Sequence, residues 1–499
     1  MAKGKLLIAT PEITLGLGAG MGNLLRKGVN FSNGGMAPVN SKYILGFMKE
    51  GSFDVYATLP KWESSLRTFN ELTSKEVKAV ESAMPENFYI INHPSFNKVP
   101  LKGTNVNMYQ DSPRFSSLDR ALAFSSGVTN TVLPNVRPDV VWVNDWMVGA
   151  VAPVAKAVGA KVVTTGHNIF TQRVPYDEAV NKGVELRDFD DYRPGEWIYW
   201  DQGQVDLMAT AVNAADDFTT VSKGFLERLA AGELDHLAST VTQAIKNKHG
   251  ARHPDGRPRT HGYLNPLDTD ESQLLNEIRE QGLEATVEAR RERGKNARNI
   301  AGLAQGGTLL IYPNRLYSQQ KNPELLIDNA NEMAEKYDLR ILIIANGEDR
   351  LKDKAVHEAL NSNGKVAYHE FNKGLEEMVK QSDNAYGVMT SNYEPCGGPN
   401  LNYPVEGTLI IGHAVDGIKD TVQPLDTGRN EGNGFPYAPN TKEGLEDAVK
   451  RMKAFADKPA EKRYSHYIRI AQSSLLNHSV GARVKQLTED VFGPLYEEP

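Results

Sequence analysis

The chain has 499 residues, more than one hydrophobic core usually organises, so its length predicts two domains. Its 56 lysines and arginines against 63 aspartates and glutamates give a formal net charge of −7, which argues against nucleic acid or an acidic membrane surface as partner. The single cysteine, Cys396, excludes an intrachain disulfide and a cysteine-rich zinc site. No apolar run reaches the ~20 residues of a membrane span, and the first residues lack a signal-peptide core, so the sequence predicts a cytoplasmic protein.

Short apolar runs recur along the chain, and each is followed by a longer helical pattern. Runs of this kind are apolar on both faces, as strands are when helices cover both sides of a parallel sheet. The first set is KLLIAT, DVYATLP, VVWVND and KVVTTGHN; the second is TLLIYPNR, RILIIANGE, KVAYHEF, NAYGVMTSN and GTLIIGHA. The alternation of strand and helix patterns predicts an α/β protein with two doubly wound parallel sheets.

A charged helical stretch without a strand, residues 276–307, separates the two sets. The sequence therefore predicts an N-terminal domain over residues 1–306 and a C-terminal domain over residues 307–477. The last helix, about residues 478–499, has no strand of its own and is free to pack back on the first domain.

Polar residues follow the strands of the first set, where open α/β sheets bind their ligands. VNDW ends in Asp145 and Trp146, and TTGHN ends in His167 and Asn168. Asp145 suits either a ligand contact or a cap of the next helix. His167 suits either a ligand contact or a hydrogen-bonded structural position.

Charged residues follow the first strand of the second set, in the stretch NRLYSQQK. Arg315 and Lys321 lie there, and two cations on one loop suit a phosphate, the arginine through its two-pronged fork and the lysine as a point charge. Two solvated surface cations would give the same pattern. Both interpretations stay open at this stage.

Glu394 lies in the stretch SNYEPCGGPN, again directly after a strand. Gly397 and Gly398 would let the backbone approach a ligand closely before a helix that begins near Asn400. The free N–H groups of that helix would face an anion or a hydroxylated ring. The alternative is a glycine turn capped by the carboxylate. Because the loops lie outside the core, we expect substitutions of Glu394 or His167 to lower turnover and to leave thermal stability nearly intact.

In their order along the chain, these motifs resemble those of the bacterial glycogen synthase and plant starch synthase family. SNGGMAPV looks like the family's Lys-x-Gly-Gly-Leu-Ala loop, VNDW like His-Asp-Trp and TTGHN like Thr-x-His-Asn. NRLYSQQK is similar to Ser-Arg-Leu-x-x-Gln-Lys, YEPCGGPNL to Phe-Glu-Pro-Cys-Gly-Leu-x-Gln-Leu and GIKDTV to Gly-Leu-x-Asp-Thr-Val. The resemblance implies the GT-B fold, in which two Rossmann-like domains face each other across a cleft.

The resemblance also implies an activity and a set of site residues. Such enzymes are retaining glucosyltransferases that move glucose from ADP-glucose or UDP-glucose to the non-reducing end of an α-1,4-glucan, without a metal or another cofactor. His167 and Asp145 would contact the transferred glucose, Arg315 and Lys321 would hold the diphosphate, and Glu394 would approach the sugar from the second domain. Further donor contacts are implied for Gly34, Gly35, Asn168, Gly397, Gly398, Asn400 and Thr421.

The chain also departs from the family pattern. Ser32 stands where the family has its loop lysine, with Lys27 or Arg26 as possible substitutes, and residues 13–31 form a longer segment than the family carries there. Two other functions fit the same residues: a GT-B transferase that acts on a small sugar acceptor, and a non-catalytic glucan-binding relative. The aromatic side chains within residues 176–205 suit either sugar stacking or burial under a loop. The oligomeric state does not follow from the sequence.

Overall fold

The computed structural model describes residues 3–15, 29–30, 36–61, 84–98, 101–102, 105–106, 109 and 111–498. They form two compact units. Unit 1 contains the described residues up to Val221, Leu226–Pro266 and the residues from Val480 onward, and unit 2 contains Ser222–Phe225 and Leu267–Ser479. Within these ranges, no helix combines the length and the apolar character that crossing a bilayer requires.

Unit 1 is built on a sheet of parallel strands. Its strands are β1 (Gly4–Ala9), β2 (Thr14–Leu15), β3 (Val29–Asn30), β4 (Phe53–Pro60), β5 (Phe88–Ile91), β6 (Leu101–Lys102), β7 (Asn105–Val106), β8 (Val140–Asn144), β9 (Lys161–Gly166), β10 (Arg173–Pro175), β11 (Trp200–Asp201), β12 (Gln204–Asp206), β13 (Asp217–Thr220) and β14 (Thr260–Gly262). Seven of them form one sheet in the order β5-β4-β1-β8-β9-β13-β14, and every pair in it is parallel. The order reverses between β1 and β8, which makes this the switch point of the sheet.

Unit 2 repeats this arrangement. Its strands are β15 (Thr308–Tyr312), β16 (Leu339–Ile344), β17 (Val366–His369), β18 (Ala385–Met389), β19 (Leu409–His413) and β20 (Gly434–Tyr437). They lie in the order β17-β16-β15-β18-β19-β20, all parallel, with the switch point between β15 and β18. Strands β15, β16 and β18 are buried along their whole length, as their continuous apolar runs predict.

Helices connect the strands of both units. They are α1 (Met36–Glu50), α2 (Ser117–Gly127), α3 (Leu133–Val136), α4 (Val151–Ala157), α5 (Tyr176–Asn181), α6 (Leu207–Ala214), α7 (Lys223–Ala231), α8 (Ser239–Gly250), α9 (Gln273–Gln281), α10 (Leu283–Ala301), α11 (Ser318–Lys321), α12 (Glu324–Ile327), α13 (Ala330–Tyr337), α14 (Asp349–Leu360), α15 (Lys373–Lys380), α16 (Gly398–Asn402), α17 (Asp416–Thr421), α18 (Lys442–Ala456), α19 (Ala460–His478), α20 (Val480–Leu487) and α21 (Gly493–Glu497). Short 3₁₀ and π turns extend several of them.

The two units divide at residue 266, whereas the sequence predicts a boundary after residue 306. Helices α9 and α10 account for the difference, because they pack on the second sheet: Leu274 and Val287 belong to its buried core. Arg290 of α10 also donates from Nε to Glu277 at 2.6 Å and from Nη1 to the carbonyl oxygen of Glu406 at 2.6 Å. A charged helical surface that looks like a linker in sequence is therefore a packed face.

The last residues belong to unit 1. Phe492 contacts the rings of Phe47 and Trp142 edge-on, with centroids 5.3 and 5.2 Å apart. Val484 and Leu495 lie in the same buried cluster as strand β1. The chain thus returns from unit 2 to complete the core of unit 1.

Candidate active site

Three polar residues meet at the carboxyl edge of the unit 1 sheet. Glu12 follows β1, Asp145 follows β8 and His167 follows β9, and these three strands are neighbours. All three side chains are buried. The switch point between β1 and β8 therefore brings together polar groups that are far apart in the chain.

Asp145 and His167 are joined directly. The backbone N–H of His167 donates to Oδ1 of Asp145 at 2.9 Å, and Nε2 of His167 lies 3.3 Å from Oδ1 of Asn144. The Asp145 side chain does not cap the 3₁₀ turn that follows it. Its backbone has φ 64° and ψ 175°, a region that is strained for a residue with a side chain and that is often found at functional sites. The helix-cap interpretation of Asp145 is thus replaced by a buried contact between two predicted site residues.

Burial shifts both groups toward their neutral forms. It raises the pKa of Asp145 to about 7; the hydrogen bond from His167 opposes this effect and the nearby Glu12 carboxylate adds to it. Burial lowers the pKa of His167 to about 4. At neutral pH this edge offers an uncharged imidazole and a carboxyl group that is partly protonated. Such groups donate and accept hydrogen bonds with little net charge.

Glu12 and Asn144 are candidate site residues that the motif analysis overlooked. Tyr109 donates from its hydroxyl group to Oε1 of Glu12 at 2.8 Å, and Asn144 is the fully buried partner of His167. A signal for Glu12 was present in the sequence, because it follows the first apolar run as a carboxylate just as Asp145 follows a later one. Asn168, next to His167, is exposed.

The switch point of unit 2 holds a buried ion pair. Lys321 lies in the connection after β15 and Glu394 in the connection after β18, and the two strands are neighbours. Nζ of Lys321 donates to Oε2 of Glu394, and Oγ of Ser391 donates to the same oxygen at 2.9 Å. The lysine and glutamate side chains are only 9% and 6% exposed. The sequence predicts separate contacts for these two residues, and the structure brings them together.

The backbone around Glu394 is fastened to helix α17. The N–H of Glu394 donates to Oδ2 of Asp416 at 2.8 Å, and the N–H of Gly417 donates to the carbonyl oxygen of Glu394 at 3.0 Å. The Glu394 carboxylate itself accepts from Lys321 and Ser391 and not from the following turn. The interpretation of Glu394 as a cap for a glycine turn therefore does not hold.

The two glycines after Glu394 differ in their surroundings. Gly397 has φ 85°, and a Cβ atom there would lie 1.8 Å from Oδ1 of Asn400, so both conformation and space require glycine. Gly398 is exposed, and a Cβ atom there would meet nothing within 4 Å. Nδ2 of Asn400 donates to Oγ1 of Thr421 at 2.6 Å and to the carbonyl oxygen of Cys396 at 3.0 Å. Asn400 and Thr421, which the resemblance assigns to the donor, thus also hold the loop together.

Arg315 differs from Lys321 although both follow β15. Its side chain is exposed and makes no hydrogen bond or ion pair with the residues that the structure describes. Ser32, Gly34 and Gly35 lie outside the described residues, as does most of the segment 13–31. Across the described parts of the chain, no three His, Cys, Asp or Glu residues are placed to hold a metal ion together.

Comparisons with known proteins agree with this architecture. The starch synthase catalytic domain family matches residues 33–240, and the family of glycosyl transferases group 1 matches residues 294–470. Glycogen synthase of Exiguobacterium sibiricum is 28% identical over 403 residues, which cover 77% of each chain. Glycogen synthase of Cellvibrio japonicus is 26% identical over 443 residues, which cover 81% of this chain and 85% of that protein.

Solved structures show the same fold. The catalytic domain of starch synthase IV from Arabidopsis thaliana, bound to ADP and acarbose, matches with a TM-score of 0.67 at 15% identity over 99% of both chains. Sucrose-phosphate synthase from Thermosynechococcus elongatus matches with a TM-score of 0.52 at 13% identity, over 99% of this chain and 100% of that one. Two Rossmann-like sheets with polar groups at their switch points thus define a glycosyltransferase with the GT-B fold. Within that class, the chain is similar to glycogen synthases and starch synthases, which confirms the predicted fold, the enzyme class and the resemblance.

Proposed function

We propose that the protein is a retaining glycosyltransferase that moves glucose from a nucleotide-glucose to the non-reducing end of an α-1,4-glucan. The observation that carries the proposal is the buried Lys321–Glu394 pair at the unit 2 switch point, within the Glu-Pro-Cys-Gly loop. The switch point is where doubly wound sheets bind nucleotides. The relatives of this chain named glycogen synthase support the substrate class.

The chemistry of glucosyl transfer requires two kinds of stabilisation. Negative charge grows on the departing nucleoside diphosphate while positive charge develops on the sugar ring. Two fixed cations stabilise the negative charge on the departing diphosphate. Arg315 is exposed and makes no ion pair with the described residues, and Lys321 is oriented by Glu394. The Glu394 carboxylate, placed beside Lys321, supplies negative charge near the sugar.

The unit 1 residues suit the neutral part of the donor. His167 is uncharged at neutral pH because burial lowers its pKa to about 4. Hydrogen bonds from His167 and Asp145 to glucose hydroxyls would orient the ring without adding charge to it. A cytoplasmic location and independence from metals and other cofactors remain predictions of the sequence.

The test is release of nucleoside diphosphate from ADP-glucose and UDP-glucose, measured side by side. Each donor is offered with glycogen, with maltooligosaccharides, with small sugars and with no acceptor. We expect glucan-dependent release from one donor and incorporation of its glucose into material that an α-1,4-glucan hydrolase digests. Added chelator should leave the rate unchanged.

The outcomes separate the alternatives. Release that occurs only with a small sugar would replace the glucan acceptor by a small one. No release from either donor, with protein that is folded by circular dichroism, would indicate a glucan-binding protein without activity. The matched inactive control is Glu394→Gln, which keeps the shape of the side chain and removes its charge.

A further inference from the structure

Unit 1 exposes two pairs of aromatic rings near the strands β10 to β12. The ring centroids of Tyr176 and Trp200 are 5.5 Å apart, and those of Phe189 and Tyr192 are 4.9 Å apart. Trp200 is 50% exposed and Phe189 is 61% exposed. These four residues are called the aromatic platform below. Neither the core of unit 1 nor the residues proposed for transfer include them.

The platform is held rigidly although it faces solvent. The hydroxyl group of Tyr176 donates to the carbonyl oxygen of Leu186 at 2.9 Å, and that of Tyr192 donates to the carbonyl oxygen of Glu185 at 2.5 Å. Both ring pairs are therefore anchored on two consecutive residues of one segment. Phe189 and Tyr192 also exchange two backbone hydrogen bonds of 2.9 Å. Rings fixed in this way lose little conformational freedom when a ligand covers them.

The charges around the platform restrict its partner. Residues 176–205 contain eight acidic and three basic side chains, so the surface repels polyanions such as nucleic acid or an acidic peptide. The carboxylates of Asp177, Asp190 and Asp191 are exposed nearby in the chain and accept hydrogen bonds from hydroxyl groups. Aromatic faces next to carboxylates suit a neutral polymer that has both C–H faces and hydroxyl groups, which is a polysaccharide.

The ring geometry favours one kind of polysaccharide. The two ring planes within each pair are tilted against each other, by 42° for Tyr176 and Trp200 and by 33° for Phe189 and Tyr192. Neither pair therefore presents a flat surface. Successive units of an α-1,4-glucan curve, whereas a β-1,4-glucan is a flat ribbon. Tilted rings follow a curved chain more closely than a flat one.

We propose that the aromatic platform binds the α-glucan acceptor, with its rings stacked on glucose units away from the residues that carry out the transfer. The inference rests on the proposed function for the identity of the acceptor. Its role is to hold a long glucan, so it concerns polymers and not short acceptors.

The test measures binding without any donor, by affinity electrophoresis in gels that contain glycogen or a soluble β-1,4-glucan. The variants are Trp200→Ala, Phe189→Ala and both together. The matched control is Leu476→Ala, which removes an apolar side chain that is 77% exposed on helix α19 of unit 2. Retardation by glycogen should weaken about threefold to tenfold in each single variant and further in the double variant, because each substitution removes one ring from the proposed stack. Trp200→Phe should restore part of the binding.

The kinetic readout distinguishes a binding surface from a disturbed fold. In the double variant, KM for glycogen should rise by the same factor as the binding weakens, while kcat and KM for a short maltooligosaccharide stay unchanged. Equal retardation of wild type and double variant, or binding of wild type to the β-1,4-glucan as strongly as to glycogen, would overturn the proposal. Platform-dependent binding without turnover would contradict only the proposed function, and turnover without platform-dependent binding would contradict only the platform.

Discussion

The two units share a strand order, but burial acts differently on Asp145 and His167 of unit 1 than on Lys321 and Glu394 of unit 2. Each sheet places its polar residues at the same edge, beside β1 and β8 in unit 1 and beside β15 and β18 in unit 2. In unit 1, burial shifts the pKa of Asp145 up and that of His167 down, so both tend toward neutral forms. In unit 2, Lys321 and Glu394 lie together as a buried ion pair. The comparison shows that a buried charge persists where its countercharge is buried with it.

This difference suits the polar groups of each unit to a different kind of chemical group. A nucleoside diphosphate is charged, and the charged residues lie in unit 2. A glucose ring is neutral and rich in hydroxyl groups, and Asp145 and His167, which burial shifts toward their neutral forms, lie in unit 1. Substitutions in each unit test this contrast, beginning with those of the greatest consequence.

Breaking the ion pair of unit 2 should have the largest effect. Lys321→Met leaves the Glu394 carboxylate buried without its partner, which should lower the free energy of unfolding by about 3–5 kcal/mol. Turnover should fall about a hundredfold to a thousandfold, because a fixed cation is lost from the transition state. Urea denaturation and nucleoside diphosphate release measure the two effects.

Two variants control this experiment. The double variant Lys321→Met, Glu394→Gln removes both charges and should recover most of the stability but none of the activity. Lys295→Met removes one partner of the exposed pair with Glu292 and should change the free energy of unfolding far less than Lys321→Met does. The double variant could instead lose as much free energy of unfolding as Lys321→Met and Glu394→Gln lose together. In that case the buried ion pair would not be the cause of the destabilisation.

Asp145 and His167 of unit 1 should make the stability of the protein depend on pH in opposite directions. The pKa of Asp145 is about 7 in the folded protein, against an ordinary value of 3.8, so its stabilising contribution is complete below about pH 4 and is lost as the pH rises to 7. The pKa of His167 is about 4 in the folded protein, against an ordinary value of 6.5, so its contribution is present above pH 6.5 and is lost as the pH falls to 4. In wild type the two trends oppose each other.

Single substitutions separate the trends. Relative to wild type, Asp145→Asn should gain about 4 kcal/mol of unfolding free energy between pH 4 and pH 7, and His167→Gln should lose about 3 kcal/mol between pH 4 and pH 6.5. Asparagine keeps the shape of the Asp145 side chain and removes its charge. Urea denaturation at unit pH steps measures both differences. A difference from wild type that does not vary with pH would contradict the burial of the group concerned.

Arg315 should show the smallest effect on stability. The Arg315 side chain is exposed and makes no hydrogen bond or ion pair with the described residues. Arg315→Ala should therefore change the free energy of unfolding by less than about 0.5 kcal/mol. Affinity for the nucleotide-glucose should nevertheless fall about tenfold or more, as expected for the loss of a charged hydrogen bond to phosphate. Thermal denaturation and the KM for the donor measure the two. An unchanged KM for the donor would indicate that Arg315 is a solvated surface cation without a role in donor binding.

Burial also changes what the loop position of Glu394 predicts. A residue in a loop after a strand is expected to tolerate substitution without loss of stability. Glu394 is buried and paired with Lys321, so its replacement leaves a buried cation and should destabilise the protein. A turnover loss in Glu394→Ala therefore has to be measured on the folded fraction, with Glu394→Gln as the milder variant.

Local patterns in the sequence are enough to predict most strands of the two large sheets, the fold class and the polar residues that follow those strands. Continuous apolar runs identify buried parallel strands, and the residues directly after them include Asp145, His167 and Glu394. These features are local, because side-chain periodicity and the position after a strand are encoded within a few residues.

Long-range contacts determine which of these residues meet and in which form. Lys321 and Glu394 are 73 residues apart and pair because β15 and β18 are neighbours in the sheet. Glu12 joins the unit 1 residues because β1 lies beside β8, and helices α9 and α10 join unit 2 because their faces pack there. The protonation of Asp145 and His167 depends on burial, which is a property of the packed fold. Strand neighbours and burial arise from contacts between distant parts of the chain, and no local pattern specifies them.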